Sequence, residues 1–334
     1  MPNSALHLFF AALTFHWTPQ VSNTTSSLRG LSVVSENVVW ASGSKGTILR
    51  TLDAGAHWEL RSLKGGQSLD FRDIVAFDAN SALAMSSGTG DDARVYLTRD
   101  GGTTWKLVLP NPDKTGFFDA MKFWDRKHGI LLGDPVEGRF TIFVTNDGGQ
   151  TWGKAAQPPA LKDEGAFAAS GTCLALFGRR DAWFGSGGPG GGRVFHTSNR
   201  GNSWTIAATP LTGQTAASGI FSVKFIDASH GLAVGGDYQK PDSTDRTIAI
   251  TNDGGKNWTT PQVAIMGGFR SAITYLKRER ILIAVGTSGS DFSSDGGQTW
   301  ASISKDSLNA VAHYDNHLWA VGPKGVILKL TFSQ

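Results

Sequence analysis

Arginine and aspartate recur at matching places along this chain, next to short runs of apolar residues. The forked guanidinium group of arginine can bind carboxylates or phosphates through two parallel hydrogen bonds. Two carboxyl groups that face one bond could instead catalyse the hydrolysis of a glycoside. The same charges could also pair with one another and hold neighbouring elements in register. The residues selected for these roles are Arg29, Arg72, Asp73, Asp119, Asp134, Arg139, Arg193, Asp237, Arg246 and Arg270.

The elements that must position these residues are indicated by a repeated segment of eight residues. Its pattern is Ser/Thr-x-Asp-x-Gly-x-x-Trp, and its copies start 42 to 54 residues apart. Such a period, with turn glycines and one fixed aromatic residue, is typical of a propeller of four-stranded blades. Five copies carry Asp53, Asp100, Asp147, Asp253 and Asp295, and the sixth carries Asn199. The tryptophans that end the copies are Trp58, Trp105, Trp152, Trp204, Trp258 and Trp300.

Each copy of this turn motif is predicted to join the third strand of a blade to the fourth. The hydroxyl and carboxylate side chains can accept hydrogen bonds from nearby backbone N–H groups. The glycine can adopt a positive φ angle, and the tryptophan can cover the turn with an apolar ring. Six copies spread around a ring cannot converge on one ligand. We therefore interpret them as scaffolding and not as catalytic or metal-binding residues.

The sequence predicts an all-β fold, a seven-bladed β-propeller of four-stranded antiparallel blades, as a single domain over residues 1–334. After Ser304 only three strands remain, and Phe-His-Trp-Thr at 15–18 resembles the fourth-strand start Ala-His-Trp-Glu at 56–59. We therefore expect residues 15–22 to complete the last blade and close the ring, which removes exposed sheet edges. The blades are predicted at about 28–63, 70–110, 117–158, 167–210, 219–263, 268–304 and 308–332.

Strands of a blade alternate in direction, so the connecting loops divide between two faces of the propeller. The turn motifs share one face with the turns between first and second strands. The opposite face carries the longer and more variable loops, where a scaffold usually presents its binding groups. The first strand begins with Arg29, Arg72 and Arg270 in three blades, and the aligned residues are Phe118 in blade three and Asn309 in blade seven. We therefore expect a mouth rich in arginine and aspartate on this face.

Composition limits the partners that can be expected. The formal net charge is +3 and there is no lysine- or arginine-rich tract, so nucleic acid is not expected as a partner. Cys173 is the single cysteine, so no intramolecular disulfide can form, and we interpret it as a small core residue. The glycine-rich run 185–192 lacks the Lys-Ser/Thr pair and the helix of a phosphate-binding loop. We expect a monomer without a cofactor or a metal site.

The N-terminal residues 1–14 contain an apolar stretch that could be the remnant of a secretion signal or a strand-like leader. No lysine or arginine precedes this stretch, and no clear small-x-small cleavage site follows it. The stretch is too short to span a bilayer, so no transmembrane segment is predicted. The protein would be secreted or periplasmic if the stretch is a signal remnant, and cytoplasmic otherwise.

The repeats resemble the Asp-box, or BNR, repeat of sialidases, other glycoside hydrolases, sortilin-type receptors and photosystem II stability/assembly factors. The resemblance to the last family is strongest in blade one, where residues 28–34 read Leu-Arg-Gly-Leu-Ser-Val-Val. It continues at 39–51 with Val-Trp-Ala-Ser-Gly-Ser-Lys-Gly-Thr-Ile-Leu-Arg-Thr. The resemblance implies a seven-bladed propeller without known catalysis. Photosynthetic members bind membrane-protein subunits during assembly through an arginine-bearing face, which corresponds here to Arg29, Arg72 and Arg270.

The expected function is therefore non-catalytic binding of a protein or an acidic ligand, with the partner undetermined. The alternative is a glycoside hydrolase or sialidase with a carbohydrate ligand. Its carboxyl groups could come from Asp73, Asp119, Asp134 or Asp237. A sialidase would usually need a tyrosine nucleophile, but only Tyr238 is predicted on the candidate face, and the arginine-containing motif that opens sialidase domains is missing. Xyloglucanase-like enzymes with this repeat enclose a cleft between two propellers, whereas this chain has the length of one.

Overall fold

Apolar runs and tight turns form 27 β-strands and two short 3₁₀-helices in the computed structural model, which describes residues 14–262 and 266–333. Successive side chains of a strand point to opposite faces of its sheet. In the inner strands both faces are buried: all residues of Val39–Gly43 and of Ile281–Gly286 are inaccessible to solvent or nearly so. Such strands need a neighbouring sheet on each side.

The strands form seven antiparallel sheets, which we number as blades 1 to 7. Blades 1 and 2 contain β2 (Leu28–Val33), β3 (Val39–Gly43), β4 (Ile48–Thr51), β5 (Glu59–Leu60), β6 (Asp70–Ala76), β7 (Ala82–Ser87), β8 (Arg94–Thr98) and β9 (Lys106–Pro110). Blades 3 and 4 contain β10 (Phe118–Phe123), β11 (Gly129–Val136), β12 (Arg139–Thr145), β13 (Gly153–Lys154), β14 (Leu174–Phe177), β15 (Asp181–Gly185), β16 (Arg193–Thr197) and β17 (Thr205–Ala208).

Blades 5 and 6 contain β18 (Ser218–Phe225), β19 (Gly231–Asp237), β20 (Ile248–Thr251), β21 (Ala272–Leu276), β22 (Ile281–Gly286), β23 (Gly289–Ser293) and β24 (Ala301–Ser304). Blade 7 contains β25 (Ala310–Tyr314), β26 (His317–Val321), β27 (Ile327–Ser333) and β1 (Thr14–Gln20). The 3₁₀-helices are Gly90–Asp92 and Pro323–Gly325. No helix in the described part of the chain has the length and apolar character needed to cross a bilayer.

The seven blades stand in a ring around a central channel, because the first strand of each blade contacts the first strand of the next. These contacts run in order through β2, β6, β10, β14, β18, β21 and β25, and β25 contacts β2 again. Apolar clusters fill the interfaces between neighbouring blades. One cluster joins Trp40 of blade 1 to Phe71 of blade 2, and another joins Trp319 of blade 7 to Leu28 of blade 1. The predicted all-β, seven-bladed propeller is confirmed.

Strand β1 completes blade 7 at its outer edge, as the sequence predicts. It pairs antiparallel with β27 from Thr14 to Gln20. Trp17 in its centre is buried, and its indole N–H donates to Ser290 Oγ of blade 6 at 3.1 Å. The observed strand starts one residue before the predicted segment 15–22 and ends two residues before its end. The predicted leader, residues 1–14, lies outside the described residues except for Thr14.

Blade 5 departs from the four-stranded pattern. Its sheet contains β18, β19 and β20, and the fourth strand is reduced to a single bridge between Ile250 and Thr259. Pro261 follows two residues later, and proline has no N–H with which to extend a strand ladder. The predicted end of this blade, at residue 263, lies outside the described residues.

The turn motif closes on itself through its own side chains. In blade 2, Thr98 Oγ1 accepts the N–H of Gly102 at 2.9 Å and donates to Asp100 Oδ1 at 2.9 Å. The same carboxylate oxygen accepts the N–H of Thr104 at 2.9 Å. Gly102 has a φ of 81°, a conformation that side chains with a Cβ disfavour. The hydroxyl and carboxylate groups of the motif thus form their hydrogen bonds within their own turn, on the face away from the longer loops.

The motif tryptophans connect blades as well as turns. Trp58 donates its indole N–H to Gln20 Oε1 of blade 7 at 3.1 Å. Trp105 and Trp204 each donate to a carbonyl oxygen at the end of the preceding blade, that of Arg61 and that of Ala156, at 2.9 Å. In the other three motifs the indole N–H donates to the carbonyl oxygen of a glycine in the same turn. These tryptophans are Trp152, Trp258 and Trp300.

Removal of residues 1–22 should lower the stability of the propeller, because β27 would lose its partner and the cluster around Trp17 would open. Loss of one buried tryptophan side chain alone costs about 3–5 kcal/mol. We expect a lower melting temperature by circular dichroism for this deletion and an unchanged one for the matched deletion of residues 1–13. Equal melting temperatures for both deletions would contradict the role of β1 in closure.

Acid should weaken the turn motifs that carry aspartate and spare the one that carries asparagine. Hydrogen bonds from the residue four positions on hold the pKa of Asp53, Asp100 and Asp253 at about 2, below the ordinary value of 3.8. Because the folded-state pKa is lowered, this stabilisation is complete above about pH 4 and is lost as the pH falls through 2. Asn199 accepts the equivalent N–H, from Ser203 at 2.9 Å, without a titrating group.

The comparison is between the triple variant Asp53→Asn, Asp100→Asn, Asp253→Asn and the single variant Asn199→Asp. Melting temperatures measured between pH 2 and pH 5 should fall less steeply with acid in the triple variant than in the natural sequence. They should fall more steeply in Asn199→Asp. Identical slopes in all three proteins would show that these carboxylates do not govern acid stability.

Candidate binding site at the mouth of the channel

The candidate site lies where the innermost strands begin, at one end of the central channel. A cavity of about 440 Å³ opens there, and we call it the mouth cavity. Its walls are Arg29, Arg72, Phe117, Asp119, Asp134, Ala166, Phe167, Ala168, Ala169, Ala216, Phe221, Tyr238, Phe269, Ser271, Thr287 and Asn309. Every blade contributes at least one of these residues, so the cavity exists only in the closed ring.

A β-bulge near the start of four innermost strands turns one side chain toward this cavity. In blade 1, Leu28 pairs with Gly43 and Gly30 pairs with Ser42, so Arg29 between them has no partner on β3. The equivalent extra residues in blades 2, 3 and 5 are Arg72, Asp119 and Phe221. A bulge bends its strand and redirects a side chain. All four extra residues line the mouth cavity.

The blade alignment that places Phe118 at the position of Arg29 is wrong by one residue. Phe118 pairs with Gly133 ahead of the bulge and packs into the core between blades 2 and 3. Asp119 therefore takes the position of Arg29. Asn309 is aligned as expected: it lines the cavity, and its Nδ2 donates to the carbonyl oxygen of Leu28 at 2.8 Å.

Arg29 and Arg72 present two guanidinium groups to the mouth cavity. Arg29 makes one long hydrogen bond, from Nη1 to the carbonyl oxygen of Ala169 at 3.5 Å. Burial, followed by the charge of Arg72, lowers the pKa of Arg29. Arg72 donates from Nε to Asp70 Oδ2 at 2.8 Å, and its guanidinium carbon lies 5.8 Å from the centre of the Phe117 ring. Arg29 is therefore the less engaged of the two cations.

Arg270, the third arginine expected at the mouth, is not among the walls of the cavity. It is fully buried in blade 6, where its Nε donates to Asp291 Oδ2 at 2.8 Å. Its Nη1 donates to the carbonyl oxygen of Phe269 at 2.8 Å and to Ser288 Oγ at 2.7 Å. These partners occupy the guanidinium group, so Arg270 holds the start of blade 6 together and does not face a ligand.

Asp119 and Asp134 bring two carboxyl groups to one wall of the mouth cavity. Asp119 is completely buried, and neither of its carboxylate oxygens has a hydrogen-bond partner among the described residues. Burial, followed by the charge of Asp134, raises the pKa of Asp119 well above its ordinary value. Asp134 Oδ1 accepts the N–H of Ala166 at 2.9 Å, and burial raises the pKa of Asp134 to about 6. Both carboxyl groups therefore keep a proton to a higher pH than an ordinary aspartate does.

Asp73 is buried inside the ring and does not line the mouth cavity. Its Oδ1 accepts the N–H of Ile74 at 2.9 Å, and its Oδ2 accepts the N–H of Met121 in blade 3 at 2.8 Å. Lys122 Nζ lies 3.8 Å from Asp73 Oδ1. Burial raises the pKa of Asp73. These contacts tie blade 2 to blade 3.

The remaining four candidates lie outside the walls of the mouth cavity. Arg193 pairs with Glu164 inside blade 4, with Nε 2.8 Å from Oε1. Arg139 and Arg246 are exposed, and Arg246 Nε lies 3.4 Å from Asp245 Oδ2. Asp237 Oδ1 accepts the N–H of Gln239 at 2.9 Å. The partners of Arg246 and Asp237 lie within two residues along the chain, as expected of charges that stabilise loops.

A wall of aromatic rings, which the pattern of arginine and aspartate does not predict, also lines the mouth cavity. The rings of Phe167 and Phe221 are stacked, with centres 3.8 Å apart. Phe269 and Tyr238 meet Phe221 edge to face, at 4.7 Å and 6.1 Å. Phe221 occupies the same bulge as Arg29, so an alignment that included apolar residues could have found it. The mouth cavity thus combines charged groups with a broad apolar surface.

A second cavity continues the first one over the rim of blades 3 and 4. It has a volume of about 600 Å³ and shares Phe117, Asp134, Ala166, Phe167 and Ala216 with the mouth cavity. We call it the side groove; its outer wall is the loop 161–165. In the described residues no group of three or more His, Cys, Asp and Glu side chains is placed to hold a metal ion. Together the two cavities can receive an extended ligand.

The solved structures that share this propeller fold include two of YCF48. One, of YCF48 bound to D1 peptide, has a TM-score of 0.67 and 17% identity and covers 94% of this chain and 94% of that chain. The other, of YCF48 from Cyanidioschyzon merolae, has a TM-score of 0.64 and 19% identity and covers 94% of this chain and 98% of that chain. No protein-family model and no curated protein sequence matches the chain. In fold, the chain is a β-propeller like the photosystem II assembly factor YCF48, in agreement with the resemblance seen in the sequence.

Replacement of Arg270 and of Arg29 should have different effects on stability. Arg270→Ala leaves Asp291 buried without its partner, which typically costs about 3–5 kcal/mol. Arg29→Ala removes one long hydrogen bond and should cost about 1 kcal/mol or less. Urea unfolding followed by tryptophan fluorescence measures both free energies of unfolding. Equal losses in the two variants would contradict the different roles assigned to these arginines.

Proposed function

We propose that this chain is a non-catalytic binding propeller that holds a segment of a partner protein at the channel mouth. The observation that carries this proposal is the continuity of the mouth cavity with the side groove across blades 3 and 4. A compact metabolite would need only a single closed pocket. An extended chain can instead fill a central cavity with one side chain and lay its neighbours along the adjoining groove.

The chemistry of the walls also suits a peptide. Aromatic rings supply large contact areas with few rotatable bonds, and such residues commonly anchor protein interfaces. Phe167 and Phe221 form this surface, while Arg29 and Arg72 offer guanidinium donors to carboxylates. We therefore propose an acidic residue or a terminal carboxylate in the partner, positioned against Arg29.

A protein of the same fold supports this choice of ligand. The structure with the TM-score of 0.67 is that of YCF48 bound to D1 peptide. A propeller with this architecture can therefore accept a peptide. We propose the same class of ligand, a polypeptide segment, for this chain.

A glycosidase activity is the second candidate, because the structure brings Asp119 and Asp134 to one cavity wall. Paired carboxyl groups with raised pKa values are the groups that such enzymes use. Asp73 and Asp237, the other candidates for this role, lie outside the cavity walls. Turnover on a panel of aryl glycosides and sialosides that is lost in Asp134→Asn would establish this activity and end the non-catalytic proposal.

Selection from a displayed library of random peptides tests the binding proposal. Peptides selected on the natural sequence should bind the double variant Arg29→Ala, Arg72→Ala at least about tenfold more weakly, because two charged donors are lost. The matched control is Arg139→Ala, Arg246→Ala, which removes two exposed arginines outside the cavity and should keep full affinity. Peptides that bind the mouth variant and the control equally would contradict a site at the mouth.

A further inference from the structure

Asp119 is a buried carboxyl group at the mouth that has no hydrogen-bond partner among the described residues. Its side chain is completely buried, yet both carboxylate oxygens lack a hydrogen-bond donor within the described chain. Burial of an ionised carboxylate without a partner is very costly, so such a group either keeps a proton or receives a cation. In all four bulges the extra residue lines the mouth cavity. Asp119 is one of these residues, so its side chain faces the cavity and not the apolar core.

The charged groups around Asp119 come from three neighbouring blades. Asp134 belongs to the same blade and repels a second negative charge. Arg72 of blade 2 attracts it, but its Nε is already bonded to Asp70. Burial, followed by the charges of Asp119 and Asp73, raises the pKa of the Cys173 thiol in blade 4 well above its ordinary value. Neither Arg72 nor Arg29, the two guanidinium groups of the cavity, donates a hydrogen bond to Asp119.

The walls beside the two carboxyl groups are aromatic. Phe117, Phe167, Phe221, Phe269 and Tyr238 all line the same cavity. The face of an aromatic ring carries partial negative charge and attracts ammonium and guanidinium groups. A Ca²⁺ ion needs six to eight oxygen ligands, and two carboxyl groups among phenyl rings do not provide them. Carboxylates beside aromatic rings suit an organic cation carried on an apolar stem.

We propose that the mouth cavity takes up a lysine-type cationic side chain of the partner segment, with its ammonium against Asp119 and Asp134 and its stem among the aromatic rings. This inference rests on the proposed function and names a second recognition element within it. The partner segment then carries opposite charges, an acidic group at Arg29 and a basic one at the aspartate pair. The cavity would thereby recognise a segment that carries both an acidic and a basic residue, and not a segment with an acidic residue alone.

Binding of the cation should displace a proton from the carboxyl pair to solvent. The proton leaves Asp119 or Asp134, and the carboxylate that remains pairs with the ammonium group, so charge and protons balance. The raised pKa values mean that the empty pair is protonated at low pH and loses its protons as the pH rises through about 6 and above. Affinity for the cation should therefore rise from pH 5 to pH 8, and uptake of the ligand should release protons.

The test uses two small probes that differ only in the terminal ammonium group, N-acetyl-lysine N-methylamide and N-acetyl-norleucine N-methylamide. Binding is followed by NMR chemical-shift changes of the full chain at pH 5 and pH 8. At pH 8 the lysine probe should bind at least about tenfold more tightly than the norleucine probe, because only it forms a charge-assisted contact. The preference should shrink at pH 5, where the pair holds its protons.

Asp119→Asn and Asp134→Asn should each remove the preference for the lysine probe. Asp237→Asn, on the same face but outside the cavity walls, is the matched control and should keep it. The pH dependence of the natural sequence gives a second measurement that does not depend on whether a variant folds. Equal binding of both probes at pH 8 would overturn the proposal, and so would displacement of the lysine probe by Ca²⁺.

The failure of this inference can be distinguished from failure of the proposed function. If library peptides bind at the mouth but show no preference for a basic residue and bind Asp119→Asn normally, the peptide site stands and the cation site is refuted. If no peptide binds at the mouth, the proposed function itself is refuted. Selected peptides that carry a lysine and lose at least about tenfold in affinity for Asp119→Asn would support both.

Discussion

The structure depends on the need of each blade to bury both of its faces. Inner strands such as Val39–Gly43 and Ile281–Gly286 have no exposed side, so a blade is stable only between two neighbours. A row of such sheets has two unsatisfied ends until it closes on itself. Seven apolar interfaces, including the one between blades 7 and 1, meet this demand. The turn motifs set the spacing of the blades, but burial between blades makes the ring.

The closed ring also creates the candidate site, because it gathers the starts of all innermost strands at one mouth. The bulges at Arg29, Arg72, Asp119 and Phe221 then direct unlike side chains into one cavity. Arg270 shows the contrast: it lies before the first paired residue of β21, its neighbour Ser271 lines the mouth cavity, and its own side chain pairs with Asp291. Whether a charged residue at this position serves structure or ligand therefore depends on the local register of two strands.

The sequence predicts the architecture well and the site only in part, for a physical reason. Turns are encoded locally, so the hydroxyl, carboxylate and glycine of each motif identify the blades, and the leftover strand predicts closure by β1. A bulge depends on pairing with the next strand, and no single residue marks it. Alignment by residue type therefore places Phe118 at the position of Asp119 and Arg270 at the mouth. The aromatic wall is not predicted, because the positions of charged residues carry no information about the apolar side chains beside them.

The pairing of β1 with β27 joins one strand that is synthesised early in translation to another that is synthesised late. A ribosome delivers Thr14–Gln20 long before Ile327–Ser333, so the early strand has to wait for almost the whole polypeptide before its partner emerges. During that interval the apolar flank of blade 1 that later packs against blade 7 stays open to solvent and to other nascent chains. The pairing of β1 with β27, which removes the last exposed sheet edge of the ring, is thus also the last folding step at which misfolding or aggregation can occur.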